Sequence, residues 1–198
     1  MKIEVRADNT TRITGYVNVV ERESRPVITA RGRVNEVVES GVFRKALEER
    51  AEIPMTVDHD NSRVIATTAD GTLTLTEDNI GLRAEAVISD EEVAKAAREG
   101  KIRGWSFGMK SVKDTLEERA EGLPLRRITG MKLHHVTLSL RSVPFYSATS
   151  VEVRAGGEEE EIETRAFSLG DMTVVTEKEA KTADNSKFKE RIKKLRGE

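Results

Sequence analysis

The sequence contains no cysteine. That excludes a disulfide framework, thiolate zinc sites and cysteine catalysis, and it fits a reducing, intracellular setting. Charge of one sign is also lacking: 33 Lys and Arg stand against 35 Asp and Glu, a formal net charge of -2. A near-neutral chain carries no overall electrostatic footprint for nucleic acid or an acidic membrane. No apolar run approaches the ~18 residues of a membrane span. The start, MKIEVRADNTTR, lacks the apolar stretch of a signal peptide. Histidine is scarce, so any imidazole chemistry falls to His59, His134 or His135. What is present suffices for one core. The 198 residues (22.0 kDa) are 37% apolar and 34% charged, with a mean hydropathy of -0.50, which is the size of one domain with an appendage.

Composition changes near residue 155. Residues 1–155 hold most of the Val, Ile and Leu and read as a β-rich domain. Residues 156–198 open on Gly156-Gly157 and the acidic run Glu158 to Glu161, and read as a charged linker and tail. Within that tail, Phe188, Ile192 and Leu195 share one stripe of a short amphipathic helix over 186–196, either a solvated helix or a docking helix for a partner. In the body, strands are predicted at Lys2–Arg6, Arg12–Val20, Ile53–Val57, Arg63–Thr68, Thr72–Thr76, Gly81–Ile88, Lys101–Lys110, Leu125–Ile128 and Leu133–Leu140. Turn chemistry such as Asp60-Asn61-Ser62 and Asp70-Gly71 separates several of them. Many short strands suggest an all-β barrel or sandwich. Two helices interrupt it. One covers Val42–Arg50. The other is entered through a capping box at Ser89 and Glu92 and ends at Gly100.

Three clusters could carry chemistry. Gly104-Trp105-Ser106-Phe107-Gly108 sets a serine between glycines and aromatics, which lets a backbone come close and leaves the hydroxyl open. Plain turn chemistry is the bland alternative. The pattern matches the G-x-S-x-G elbow of α/β-hydrolases, but the strand-rich surroundings do not supply that fold's repeated strand–helix units. Val57-Asp58-His59-Asp60 places His59 at a strand end, on the parity of Ile53, Met55 and Val57, where it is either structural or a general base. In Leu133-His134-His135-Val136-Thr137-Leu138, strand alternation puts His134 on the apolar face and His135 on the polar one, so the pair is not expected to serve one site. A metal site would have only His59, one of that pair and a neighbouring Asp, so none is expected, and no cofactor is implied. Finally, Glu4-Val5-Arg6-Ala7, Glu152-Val153-Arg154-Ala155 and Glu163-Thr164-Arg165-Ala166 repeat the pattern E-x-R-A. Chance repetition in a Glu-, Arg- and Ala-rich chain is the simple account.

Taken in order, these segments resemble the prohead (capsid maturation) proteases of tailed bacteriophages, which resemble the herpesvirus assemblins. The resemblance rests on Ile13–Val17, Val37–Phe43, Val57-Asp58-His59-Asp60, Gly81-Leu82, Ile102-Arg103-Gly104-Trp105-Ser106-Phe107-Gly108, Leu133–Leu138 and Val143-Pro144 with Ala148, and covers about residues 12–155. It implies a mainly β, assemblin-like closed barrel with peripheral helices and a serine endopeptidase. Ser106 would be the nucleophile, His59 the base and His135 the third member, at a position where many phage members carry Glu. Backbone amides after Ser139 and the Arg141 side chain are the oxyanion candidates. The implied substrate is a scaffold protein or the scaffolding segment of the major capsid protein, cut inside the immature shell in the host cytoplasm, with self-cleavage. An E-x-R-A copy at 152–155 or 163–166 is a candidate self-cleavage site, and a homodimer is implied by the assemblins alone. A non-enzymatic assembly module of the same fold and an esterase-like hydrolase are the alternatives. With an unperturbed His59, activity should fall as pH drops through ~6.5.

Overall fold

The computed structural model describes residues 1–8, 10–140, 162–167 and 173–176. Twelve strands and two helices follow in order among them: β1 (Lys2–Val5), β2 (Thr11–Val19), β3 (Val27–Thr29), β4 (Gly32–Val38), α1 (Val42–Glu49), β5 (Pro54–Val57), β6 (Asp60–Thr67), β7 (Leu73–Glu77), β8 (Gly81–Ile88), α2 (Glu91–Arg98), β9 (Gly104–Glu117), β10 (Leu125–Ser139), β11 (Glu163–Phe167) and β12 (Thr173–Thr176).

Alternation explains the sheets. In β8, Leu82, Ala84, Ala86 and Ile88 are buried, and in β7 Leu73 and Leu75 join them, each strand turning every second side chain inward. These strands belong to a five-stranded sheet ordered β12-β1-β2-β8-β7. The remaining seven form a second sheet along β11-β9-β10-β4-β3, with β5 on β10 and β6 on β5. One core cluster runs through both, from Ile3 and Ile13 to Trp105, Phe107 and Leu138. The sheets are laced at one corner, where Glu21 N donates to Val38 O at 2.9 Å. The protein is thus mainly β with two helices, although these pairings among the described residues do not themselves trace one closed ring.

Both helices lie where the sequence places them, but α2 is capped one residue later than expected. Asp90, not Ser89, caps α2: its Oδ1 accepts from Val93 N at 2.9 Å, and Arg63 holds the same carboxylate. The left-handed Gly100 (φ 64°) ends it as expected. α1 borrows its cap from β7, where the Glu77 carboxylate accepts from Gly41 N at 2.5 Å and Arg44 N at 2.6 Å. A carboxylate there also complements the helix dipole. Phe43 of α1 meets Phe107 of β9 edge-on, with centroids 5.4 Å apart. That contact fixes the strand carrying Ser106 from behind.

The long strand β10 was expected as two pieces. It is one strand of 15 residues, antiparallel to β9, with register shifts near Gly130 and at Leu133/His135. Four further strands lie where no strand is expected: β3, β4, β11 and β12. The last two fall in the segment read as linker and tail. β11 runs antiparallel to β9, and β12 runs parallel to β1. The helix expected over 186–196 lies outside the described residues.

Candidate active site

Two strands and one turn assemble the site. In the β9–β10 register Ser106 lies opposite Thr137, and Gly108 opposite His135. The turn joins β5 to β6. Val57 pairs with Asp60, and the two residues between them, Asp58 and His59, both have left-handed backbones (φ 48° and 63°). Two successive positive φ angles are the signature of a primed hairpin turn, a conformation that Asp and His tolerate better than most side chains. The strand parity used to aim His59 therefore stops at Val57, and the turn aims the imidazole instead. Neighbouring groups hold the strained pair in place. Thr137 Oγ1 accepts from His59 N at 3.0 Å, Asp58 N donates to Leu138 O at 3.1 Å, and Asp58 Oδ1 accepts from Leu140 N at 2.9 Å.

The result is a chain of short contacts. His59 Nε2 lies 2.7 Å from Ser106 Oγ, and His59 Nδ1 lies 2.7 Å from His135 Nε2. His134 extends it, with its Nδ1 2.8 Å from His135 Nδ1. This overturns the expectation that the adjacent histidines serve separate faces. A bulge at Leu133/His135 breaks strict alternation, so His134 swings alongside its neighbour. Periodicity carries no signal for such a bulge.

Gly108 has a role different from an open hydroxyl. A Cβ there would lie 2.4 Å from His135 Cε1, so the imidazole occupies the space of the missing side chain. Burial depresses all three imidazoles. His59 is pushed down to about 4, chiefly by desolvation and despite Asp58, which acts the other way. His135 falls to about 3 through desolvation and the neighbouring His59 and His134, and His134 falls to about 4 by desolvation with help from Lys110 and Arg50. At neutral pH each ring therefore carries one ring proton. Two proton orders satisfy the whole chain. In one, every N–H points toward His134 and His59 Nε2 is free to accept the seryl proton. In the other, every N–H points toward Ser106 and His59 is a donor, unable to act as base.

The second order has a partner waiting. β11 lies along β9, and the Ser106 hydroxyl donates to Arg165 O at 2.6 Å. Ser106 and His135 are accordingly sealed, at 0% and 1% exposure. Of the oxyanion candidates, the Leu140 amide already serves Asp58, and Arg141 lies outside the described residues.

A serine hydroxyl bonded to a neutral imidazole on a β framework, with an extended strand laid over it, is the layout of a serine peptidase. The family model for the caudovirus prohead serine protease matches residues 1–164, and the chain belongs to that family, a capsid-maturation serine protease of tailed bacteriophages. No curated protein matches the chain. Capsid or scaffold proteins are thus its class of substrate, and the phage capsid within the host its place of action. No helix among the described residues is long and apolar enough to cross a membrane.

Proposed function

We propose that the protein is a serine endopeptidase in which Ser106 attacks, His59 transfers the proton and His135 holds His59. It cleaves a scaffold protein or the scaffolding segment of the major capsid protein during prohead maturation, and also cleaves itself. The observation that carries this reading is the pair of 2.7 Å contacts at the two nitrogens of His59. Once the proton order favours the base, the Ser106 hydroxyl loses its proton to His59 Nε2 as Oγ attacks a peptide carbonyl carbon. His59 then gives that proton to the leaving amine, and water releases the acyl group by the same route. His135 accepts from His59 Nδ1 and fixes its tautomer. Being neutral, it stabilises the transient imidazolium less than a carboxylate would, so turnover is slow. The Arg141 side chain, following β10, completes the oxyanion site. An assemblin-like closed barrel and a homodimer belong to the same proposal. The extended pose of β11 favours a peptide over a small ester as the natural substrate.

The test is co-expression with the capsid or scaffold gene product of the same phage. Processing by wild type that disappears with Ser106→Ala and His59→Ala supports the reading. Unchanged processing with Ser106→Ala refutes it.

A further inference from the structure

β11 lies on the strand that bears the nucleophile, in an antiparallel register with Thr164 opposite Gly108, Arg165 opposite Phe107 and Ala166 opposite Ser106. The main-chain carbonyl brought to Ser106 Oγ is that of Arg165. An extended peptide added to a sheet edge is held by its backbone, and side chains two apart on one face give it specificity. Here those two side chains are Glu163 and Arg165, and both meet charged groups of complementary sign.

Arg165 is 8% exposed and is met by Glu36 of β4, itself 4% exposed. Its Nη2 donates to Glu36 Oε1 at 2.7 Å, and its Nε donates to Glu36 Oε2. Two parallel bonds from a guanidinium to a carboxylate read shape as well as charge. Glu163 is held by Arg126 of β10, whose Nη1 and Nη2 donate to its two oxygens at 2.5 and 2.9 Å. Arg126 also donates to Glu36 at 2.9 Å and to Asp114 at 2.5 Å. Without β11, Glu36 and Arg126 still have each other, and Arg126 still has Asp114, while the positions that each turns toward β11 are open to an incoming Glu-x-Arg.

We infer that the site cleaves after arginine in a Glu-x-Arg sequence, with Glu36 reading the arginine and Arg126 reading the glutamate, and that its first such substrate is the Arg165–Ala166 bond of its own chain. This rests on the proposed serine protease chemistry and names its substrate class. In the reaction, Ser106 Oγ bonds to the Arg165 carbonyl carbon and its proton passes to His59. The bond to the Ala166 nitrogen breaks as that nitrogen takes the proton. Water then cleaves the Arg165–Ser106 ester, leaving an Arg165 carboxylate. The carbonyl oxygen must first turn from the hydroxyl so that its carbon faces Oγ. Of the two other E-x-R-A copies, Glu4–Ala7 begins in β1, which is paired on both sides, so it is expected to remain uncut.

The experiment takes the full chain as purified wild type, Ser106→Ala, Arg165→Ala, Glu163→Gln and Arg165→Asp, read by intact mass over time. A fluorophosphonate probe of Ser106 is added to the Arg165→Asp variant, where like charge against Glu36 expels the strand. The expected result is fragments 1–165 and 166–198 from wild type and none from Ser106→Ala. Cleavage should slow at least about 100-fold in Arg165→Ala and about 10-fold in Glu163→Gln, and the Arg165→Asp variant should be labelled at Ser106. Equal cleavage after residue 165 in Arg165→Ala overturns the specificity. A labelled Ser106 with wild type uncut at this bond, or cut elsewhere, overturns the inference but leaves the serine protease standing. Neither label nor cut overturns both.

Discussion

Gly108 shows how much a single missing side chain can decide. The His135 ring fills its place, so Gly108→Ala should displace that ring and, through it, His59. We expect kcat for peptide hydrolysis to fall by about 100-fold with little change in global unfolding, measured by steady-state kinetics beside chemical denaturation. The pH profile is a second matter of individual residues. Protonated His59 cannot serve as base. Burial lowers its folded pKa to about 4 with the groove filled by a strand, so the active range extends to lower pH than an isolated imidazole would allow. The acid limb of kcat, which reports the filled site, is therefore expected nearer 4 than the 6.5 implied by an unperturbed ring. A limb at 6.5 would show that the imidazole is hydrated during turnover. The sequence singles out the three residues that the fold brings together: His59 and His135 because histidine is scarce, and Ser106 because it sits between glycines and aromatics, with His135 chosen only through the family resemblance. The contact of His134 with His135 is not legible there, since a bulge leaves no periodic trace.

Among elements, the hairpin turn at Asp58-His59 depends on β10 more than on its own sequence. Thr137 holds it by accepting from His59 N and is itself bonded to Thr56 Oγ1 at 2.9 Å. Thr137→Val keeps the shape and removes both bonds, leaving a backbone N–H unpaired. We expect a loss of about 1–3 kcal/mol in stability and a larger fall in kcat than in substrate affinity, checked by urea denaturation and steady-state kinetics. The same scale explains which strands could be read. β7 and β8 alternate apolar with polar residues, and the sequence shows them. β4 and β11 turn Glu36 and Arg165 inward, where pattern reading expects apolar groups, and β10 buries Arg126 in the same way. Charge usually signals a solvated face. Here opposite charges bury one another, and the pattern fails wherever that network passes.

For the molecule as a whole, three imidazoles are held neutral by burial while their unfolded counterparts titrate near 6.5. The unfolded chain therefore binds more protons than the folded one as pH falls from about 6.5 toward 4. Their contribution to stability is present above 6.5 and is lost across that window. Tm followed from pH 8 to pH 4 should be flat at first and then decline, and the decline should be shallower in His135→Asn. The two C-terminal strands also tie the sheets together, β11 in one and β12 in the other. Cleavage at Arg165–Ala166, inside β11, would leave Glu163–Arg165 on one sheet and β12 on the other, no longer joined through this segment.

The strand over Ser106 belongs to the same molecule, and this sets the kinetics of any rival. A tethered occupant competes at an effective concentration on the order of millimolar. Peptides dissolved at micromolar levels would be outcompeted by a guest that never diffuses away, whereas proteins crowded within a closed shell reach a comparable range. Self-processing would be unimolecular, its half-time unchanged on hundredfold dilution. The enzyme would then be timed by an internal clock and fully released only among densely packed neighbours.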